Sequence, residues 1–315
     1  MSGQKAWLVT GGSGFLGRHL LKTLTHAAPV GVRVVAMGRR RPEACPVELF
    51  VPADLDEPVE LARALRTAGP EVVFHLAGQL PTADPARLYQ GNTRATVHLL
   101  DALRGLDRPV RVVMAGSAAE LGPLAAGALP VGEESPCNPV SPYGLSKWFA
   151  TRYGLNQSLP LEVLSARIFN PIGPGMPVSQ AFGRFAAVLA APGIDPVRLK
   201  VSGLDARRDF IDVGDVADAL LALALRGQGG LVYHVGTGCS HRVGDGLDIL
   251  VGLSGRQVCI DVDPTIQRPG TADSRARIDR IRDHTGWGPR IAWELSLANL
   301  WREALEKPKQ ARRVA

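Results

Sequence analysis

A glycine-rich turn between an apolar segment and a helical pattern constrains the fold of this chain more than any other feature. Residues 6–10 (AWLVT) run straight into GGSGFLG at 11–17, and Leu16, Leu20 and Leu24 then recur at helical spacing. The pattern predicts a strand, a tight turn and a helix. Glycines let a pyrophosphate approach the N–H groups at a helix N-terminus, where the helix dipole favours an anion. A glycine turn without a bound dinucleotide remains open at this point.

Strand and helix patterns continue to alternate along the first half of the chain. Runs at 32–37, 71–78 and 110–114 predict strands, and helical patterns at 59–68 and 93–103 lie between them. A further helix is predicted from about residue 142. Strands that alternate with helices form parallel sheets covered on both faces. The sequence therefore predicts an α/β fold with a doubly wound parallel sheet.

Tyr143 and Lys147 lie four residues apart on this last predicted helix, so their side chains share one face. A free tyrosine titrates near pH ~10, and bringing its pKa to working pH requires a shift of about 3 units. A neighbouring ammonium supplies part of that shift by stabilising the phenolate. The pair predicts acid/base catalysis, although an isolated Tyr-x-x-x-Lys is also common on helix surfaces.

A series of ordered motifs resembles those of the extended short-chain dehydrogenase/reductases, the family of nucleotide-sugar epimerases, dehydratases and reductases. The resemblance covers nearly the whole chain. It implies a Rossmann-type dinucleotide lobe over 1–170, to which residues from about 205 to 240 return, and a smaller substrate-binding lobe formed mainly by 171–315. The matching motifs are TGGSGFLG at 10–17, Asp54-Leu55, HLAG at 75–78, Asn92, Gly116-Ser117, YGLSK at 143–147, RIFNPIGPG at 167–175 and RDFIDV at 208–213.

By this resemblance the chain carries a catalytic triad of Ser117, Tyr143 and Lys147. Tyr143 is expected to transfer the proton, Lys147 to hold the nicotinamide ribose and tune the tyrosine, and Ser117 to hydrogen-bond the reacting oxygen. Asn92 is expected to support the site, with a purely structural hydrogen bond as the alternative. The residues expected at the cofactor are Gly11, Gly14, Phe15, Leu16, Gly17, Arg39, Arg40, Asp54, Leu55, Leu76, Ala77, Gly78, Asn92, Tyr143 and Lys147.

Arginine, rather than an acidic residue, follows the second predicted strand. In dinucleotide folds an Asp or Glu at this place holds the ribose hydroxyls of NAD, whereas an arginine accommodates the 2′-phosphate of NADP. Here Arg39 and Arg40 follow Met37 and Gly38, so we predict NADP(H) as the preferred cofactor. The alternative is that residues 39–41 only begin a surface loop. By resemblance, Asp54 is expected to receive the adenine amino group.

Within the family, the motifs are most similar to those of reductases that act on GDP-4-keto-6-deoxy-hexoses. This implies NADPH-dependent reduction of the 4-keto group of a nucleotide-linked 6-deoxyhexose, with Tyr143 as proton donor. Leu121 departs from the pattern, since a tyrosine is usual there, and residues 201–204 lack an asparagine often found near the base. The residues expected at the substrate are Glu120, Asn170, Ser179, Arg208 and Arg268, of which the two arginines would clamp the diphosphate.

Composition disfavours several other classes of function. The net charge of +6 comes from scattered arginines without interleaved aromatic residues, so nucleic acid is not an expected partner. Four separated cysteines without Cys-x-x-Cys spacing favour neither zinc nor disulfides, and we expect no metal. No apolar run approaches the roughly 18 residues of a membrane span, and the N-terminus does not resemble a signal peptide. We therefore expect a cytoplasmic enzyme that does not bind membranes, and a homodimer, as is frequent among relatives.

Three other functions stay open at this stage. A nucleotide-sugar 4-epimerase would use the same triad but would retain NAD through its catalytic cycle. An NADPH-dependent ketoreductase could act on a dTDP- or UDP-sugar or on a secondary metabolite. A non-enzymatic dinucleotide sensor would share the fold but would have no reason to keep the reactive triad.

Overall fold

The computed structural model describes residues 5–42, 47, 49–262 and 273–311. Its strands, in chain order, are β1 (Lys5–Thr10), β2 (Val32–Gly38), β3 (Leu49–Pro52), β4 (Pro70–His75), β5 (Val110–Ser117), β6 (Leu161–Ile168), β7 (Asn170–Ile172), β8 (Val197–Val201), β9 (Arg207–Arg208), β10 (Phe210–Asp212), β11 (Val232–Val235), β12 (His241–Arg242) and β13 (Val258–Val262). Its helices are α1 (Phe15–Ala27), α2 (Pro58–Ala68), α3 (Pro85–Leu88), α4 (Ala95–Arg104), α5 (Pro142–Leu155), α6 (Ala181–Ala190), α7 (Val213–Arg226), α8 (Val243–Ser254), α9 (Asp279–Thr285) and α10 (Trp293–Ala311). A π-helical turn, Tyr89–Arg94, joins α3 to α4.

A seven-stranded parallel sheet organises the molecule. Its strand order is β11-β6-β5-β4-β1-β2-β3. The chain first winds outward from β1 through β2 to β3, and then continues on the other side of β1 through β4, β5 and β6. The direction of winding therefore reverses between β1 and β4, where open α/β sheets bind ligands at the carboxyl ends of their strands. The predicted doubly wound α/β fold is confirmed.

Both faces of the sheet are covered, which explains why its strands are apolar almost throughout. Leu8 packs on one face with residues of α2 and α4, whereas its neighbour Val9 packs on the other face with residues of α1 and α7. Side chains alternate between the faces of a strand, so a strand buried on both sides needs an unbroken apolar run. Each such aliphatic side chain contributes roughly 1.5–3 kcal/mol through burial.

A third apolar core is formed by the elements that follow β7. Phe182 of α6, Leu247 of α8 and Leu297 of α10 are buried there together with the paired strands β8 and β13. Helix α7 and strand β11 instead belong with the central sheet, since β11 pairs with β6. Their residues Leu220 and Val235 are part of the apolar core on the face of the sheet that α1 covers. The chain thus leaves the sheet after β6, returns for α7 and β11, and leaves it again.

Candidate active site

The glycine turn after β1 forms a close backbone cradle at the start of α1. Gly11 has φ +71°, and a Cβ placed on it would lie 2.6 Å from the backbone nitrogen of Ala77. A Cβ on Gly17 would lie 2.1 Å from the carbonyl oxygen of Gly11. Helix α1 has no acidic residue in its first turn, and within the described residues no side chain caps its N-terminus. The turn, including Gly14, Phe15 and Leu16, therefore fits a dinucleotide pyrophosphate.

The segment after β4 meets this turn and the catalytic helix. Thr10 and His75 end the adjacent strands β1 and β4 in register. Leu76, Ala77 and Gly78 follow at the carboxyl edge, as the sequence predicts for residues that line the cofactor. A Cβ on Gly78 would lie 2.6 Å from Oδ1 of Asn92 and 3.9 Å from Nζ of Lys147. Three predicted site residues that are distant in sequence thus converge.

Helix α5 presents Tyr143 and Lys147 from a well-defined start. The Ser141 hydroxyl accepts a hydrogen bond from the Gly144 N–H (3.0 Å), and Pro142 occupies the first turn, where its missing N–H costs nothing. Ser117, the last residue of β5, forms a side-chain hydrogen bond with Tyr143. The predicted triad is therefore assembled between the end of a central strand and the first turns of one helix.

Burial decides the protonation of the two catalytic helix residues. Burial raises the pKa of Tyr143 above its ordinary value, and the hydrogen bond from Ser117 opposes this effect. Burial also lowers the pKa of Lys147, which the nearby carboxylate of Glu120 raises in part. This net direction is opposite to the lowering of the Tyr143 pKa that the sequence led us to expect, and the tuning of the tyrosine by Lys147 remains a prediction. Tyr143 is consequently a protonated phenol near neutral pH.

Glu120 lies beneath Ser117, with a side chain that is 0% exposed. Its Oε1 accepts hydrogen bonds from the Ser117 N–H (2.7 Å) and from the Thr151 hydroxyl (3.0 Å). Its Oε2 pairs with the Arg167 guanidinium at 3.1 Å. Because both oxygens are occupied inside the protein, the predicted substrate contact at Glu120 is replaced by a role in holding Ser117.

Arg167 extends this buried network in a way that the sequence reasoning missed. Its side chain is 3% exposed and donates to Cys137 Sγ (3.1 Å) and to His234 Nε2 (3.3 Å). The His234 Nδ1–H donates to the Val131 carbonyl (3.1 Å), so the imidazole is satisfied in its neutral form. Burial, followed by the charge of Arg167, lowers the pKa of His234 to about 3. The available signal was a polar residue inside each of the apolar strands β6 and β11.

Asn92 is held in the π-helical turn by backbone and side-chain partners. Its Oδ1 accepts from the Gln79 N–H (2.8 Å), and its Nδ2 donates to Ser146 Oγ (2.9 Å). The Ser146 hydroxyl in turn donates to the carbonyl oxygen of Tyr143 (2.8 Å). Asn92 therefore supports the start of α5, and its predicted contact with the cofactor remains a prediction.

Arg39 and Arg40 follow β2 directly, on the edge of the sheet where the adenosine end of a dinucleotide lies in this fold. Both are exposed. Asp54 follows the neighbouring strand β3, and its Oδ1 accepts from the Asp56 N–H (3.1 Å), which fixes the turn. The carbonyl of Leu55 accepts a hydrogen bond from His98 Nδ1 (2.8 Å). The contacts of Arg39, Arg40, Asp54 and Leu55 with a cofactor remain predictions.

The predicted substrate residues lie on the segments that follow β6. Asn170, in β7, donates through Nδ2 to the carbonyl of Asp209 (3.0 Å), which places it beside Arg208. The Asp209 carboxylate is buried and accepts from the N–H groups of Thr237, Gly238 and Ala276, which fixes the strand end that carries Arg208. Ser179 is exposed just before α6. Arg268 lies outside the described residues.

Leu121, at which the sequence departs from the family pattern, is a buried residue. Its side chain is 2% exposed and belongs to the apolar core beneath the sheet. A residue so buried does not line an open crevice, so the departure from the family pattern at Leu121 is a change within the core. The adjacent Gly122, with φ +71°, passes so close to the Asn138 carbonyl that a Cβ would lie 1.8 Å from that oxygen.

The described part of the chain shows neither a group of metal ligands nor a membrane-spanning helix. In residues 5–42, 47, 49–262 and 273–311, no three His, Cys, Asp or Glu side chains are grouped so as to hold a metal ion. Among the helices of the same residues, none combines the length and apolar character needed to cross a bilayer.

Comparisons with known proteins place these features in context. The sequence profile of the NAD-dependent epimerase/dehydratase family matches residues 7–236. GDP-6-deoxy-D-mannose reductase of Pseudomonas aeruginosa is 34% identical over 300 residues, which cover 92% of this chain and 93% of that protein. A UDP-glucose 4-epimerase of Azospirillum brasilense is 30% identical and covers 92% of each chain. The solved structure of RMD from Pseudomonas aeruginosa complexed with NADPH has a TM-score of 0.84 at 32% identity, over 96% of this chain and 98% of its own.

Proposed function

Because the chain belongs to the NAD-dependent epimerase/dehydratase family, we propose that it is an NADPH-dependent reductase of the 4-keto group of a GDP-linked 6-deoxyhexose. It is an NAD(P)-dependent enzyme of the extended short-chain dehydrogenase/reductase type, as its motifs predicted. The proposal adds the direction of the reaction, the preferred cofactor and the sugar nucleotide. It agrees with the similarity to the GDP-6-deoxy-D-mannose reductase and to the NADPH complex.

The observation that carries this proposal is the arginine pair after β2. Arg39 and Arg40 are exposed directly after Gly38, the last residue of β2, with no acidic residue at this strand end. Arginine recognises a phosphate through paired charge-assisted hydrogen bonds, whereas NAD-selective folds use a carboxylate here. An enzyme that favours NADPH consumes it as a reductant and releases NADP⁺, which suits a reductase better than an epimerase.

The protonation of the triad supports the same direction. A bound NADPH would supply a hydride to the ketone carbon, and negative charge would then develop on the ketone oxygen. Tyr143, protonated near neutral pH, is placed to donate its phenolic proton to that oxygen, and Ser117 to donate a hydrogen bond. Lys147 lies beside Gly78, within reach of a ribose at the carboxyl edge of β4. A phenol held in its acid form is ready for reduction, whereas oxidation of an alcohol first needs the phenolate.

We assign the diphosphate of the substrate to the segment that carries Asn170 and Arg208, together with Ser179 and Arg268. Asn170 and Arg208 lie on neighbouring backbone segments, since Asn170 bonds the carbonyl of Asp209. An amide and a guanidinium at this place suit the oxygens of a nucleoside diphosphate. The choice of GDP rests on similarity to the reductase from Pseudomonas aeruginosa.

A homodimer also forms part of the proposal. Two apolar side chains one turn apart on helix α5 are exposed, Leu145 at 38% and Phe149 at 52%. Tyr89, in the π-helical turn, is 42% exposed. Large apolar side chains grouped on one helix surface favour burial against another subunit. Light scattering after gel filtration should give twice the chain mass, and Phe149→Glu should give the monomer mass. A wild-type monomer would refute the dimer.

The function is tested by ligand binding followed by turnover. Thermal shift with GDP, UDP, dTDP and NADPH should show stabilisation by NADPH and GDP. NADPH oxidation should then follow addition of the GDP-4-keto-6-deoxy sugar. Stabilisation by UDP or dTDP alone would refute the assigned nucleotide, and a lack of stabilisation by any nucleoside diphosphate would refute the class of substrate.

A 4-epimerase is the second candidate, favoured by 30% identity to a UDP-glucose 4-epimerase. Such an enzyme keeps its NAD bound through the reaction. Acid extraction of the purified protein separates the two candidates, because the reductase should release little NAD and the epimerase should release it at nearly one equivalent per chain.

A further inference from the structure

His75 is a buried imidazole in the centre of the site to which no catalytic or binding role has been given. It ends β4, immediately before the segment 76–78 that lines the dinucleotide crevice, and is 4% exposed. Both ring nitrogens have partners. Thr10 Oγ1 lies 2.9 Å from Nδ1, and Thr96 Oγ1 lies 2.9 Å from Nε2.

The surrounding donors fix which nitrogen carries the proton. The Thr96 hydroxyl donates to the carbonyl of Asn92 at 2.6 Å, so its oxygen accepts from the imidazole Nε2–H. Thr10 Oγ1 accepts from the Ala77 N–H at 3.3 Å, so its own proton goes to Nδ1. Burial, followed by the charge of Lys147, lowers the pKa of His75 to about 3. His75 is thus neutral, with one donating and one accepting nitrogen.

The two ends of this chain of hydrogen bonds reach different parts of the site. On the Nδ1 side, Thr10 and Ala77 form the floor of the dinucleotide crevice, where Ala77 meets Gly11. On the Nε2 side, Thr96 holds the Asn92 carbonyl in the π-helical turn. The Asn92 amide then holds Ser146, and the Ser146 hydroxyl bonds the carbonyl of Tyr143.

We propose that His75 is a positioning residue that fixes the position of helix α5 relative to the dinucleotide crevice. The hydrogen bond at Nδ1 supports cofactor binding, and the hydrogen bond at Nε2 supports the placement of Tyr143 and Lys147. The proposal deepens the proposed function and rests on it. A buried group linked on both sides transmits position because each partner would otherwise lose a hydrogen bond without access to water.

Two amide substitutions separate the two sides of the ring. In His75→Gln the side-chain amide reaches the place of Nε2 and can still donate to Thr96. In His75→Asn the shorter amide reaches only the place of Nδ1 and can still accept from Thr10. We expect His75→Gln to raise the Kd for NADPH about tenfold with kcat nearly kept. We expect His75→Asn to lower kcat about tenfold with that Kd nearly kept.

A matched control separates positioning from stability. Val73→Ala removes buried methyl groups from the same strand without touching the hydrogen bonds, since Val73 packs in the α2–α4 core at 0% exposure. Each variant is studied at a temperature equally far below its own Tm. The proposal is overturned if both His75 variants change Kd and kcat in parallel, or by no more than Val73→Ala does. Measuring the Kd for NADPH needs no sugar nucleotide, so the proposal can still be decided if the assigned substrate proves wrong: the Kd should rise in His75→Gln and stay nearly unchanged in His75→Asn.

Discussion

Glu120 and Arg167 form an ion pair with 3.1 Å between Oε2 and the guanidinium, and both side chains are almost completely withdrawn from solvent. The pair lies behind Ser117, whose N–H it holds through the other carboxylate oxygen. Removing one partner of a buried pair leaves an uncompensated charge, which typically costs about 3–5 kcal/mol. Arg167→Met should therefore lower the free energy of unfolding by that amount in urea titrations.

The matched control for this prediction is an exposed pair on the same lobe. Arg94, 55% exposed, pairs with Asp56 at 3.0 Å. Arg94→Met should cost at most about 1 kcal/mol, because water screens surface pairs. Adding Glu120→Gln to Arg167→Met should recover part of the stability, since no charge is then left alone. Equal losses at the two sites would show that the buried pair is not structurally important.

Tyr143→Phe should lower kcat by about two to four orders of magnitude, because the substitution removes the proton donor and keeps the ring. The Kd for NADPH, measured by fluorescence, should change little. Ser117→Ala should lower kcat less, since it removes a hydrogen bond and not the transferred proton. Near-normal turnover by the phenylalanine variant would rule out the assigned acid.

Arg39→Ala should weaken NADPH far more than NADH if the guanidinium holds the 2′-phosphate. The difference between the two Kd values is the informative quantity, because general damage to the fold would affect both alike. Arg66→Ala is the control. Arg66 is exposed near the C-terminal end of α2, which leads into the N-terminal end of β4, whereas Arg39 follows the C-terminal end of β2. An equal loss for both dinucleotides would remove the arginine from the phosphate site.

Acid should destabilise the protein through its buried imidazoles. His75 and His234 each have a pKa near 6.5 when unfolded and about 3 when folded. Above pH 6.5 both states are neutral and the contribution is constant. As the pH falls from 6.5 towards 3, only the unfolded chain takes up these protons, so stability falls by about 1.4 kcal/mol per pH unit for each histidine.

His234→Gln tests this pH dependence by subtraction. The carboxylates titrate alike in both proteins, so the difference between the two unfolding curves isolates the histidine. The slope of unfolding free energy against pH should become shallower by about 1.4 kcal/mol per unit between about pH 5.5 and 4. Parallel curves for the variant and the wild type would mean that His234 is charged in the folded state.

The sequence predicted the fold, and the proximity of Ser117 to Tyr143, because local signals and a known order of motifs agreed. The glycine turn, the apolar strands and the Tyr143–Lys147 spacing each depend on a short stretch of chain. The roles of Glu120 and Leu121 could not be read in this way. Whether a side chain at the end of β5 points into the crevice or under the sheet depends on packing against α5 and β6, which are distant in sequence.

The buried polar network escaped prediction for a related reason. Arg167 and His234 lie in two mostly apolar strands, and only the parallel pairing of β6 with β11 brings them side by side. The direction of the Tyr143 pKa shift was also missed, since burial of both members of the pair is a property of the assembled fold. Spacing on a helix shows that two groups are close, but not how much water surrounds them.

NADPH oxidation by the purified protein, with the GDP-linked 4-keto-6-deoxyhexose as substrate, tests the central claim most directly. We predict one NADPH consumed per sugar reduced, strong preference over NADH, and loss of the reaction in Tyr143→Phe. Absence of oxidation with GDP-, dTDP- and UDP-linked ketosugars, together with about one equivalent of NAD retained per chain, would contradict the reductase and leave the epimerase.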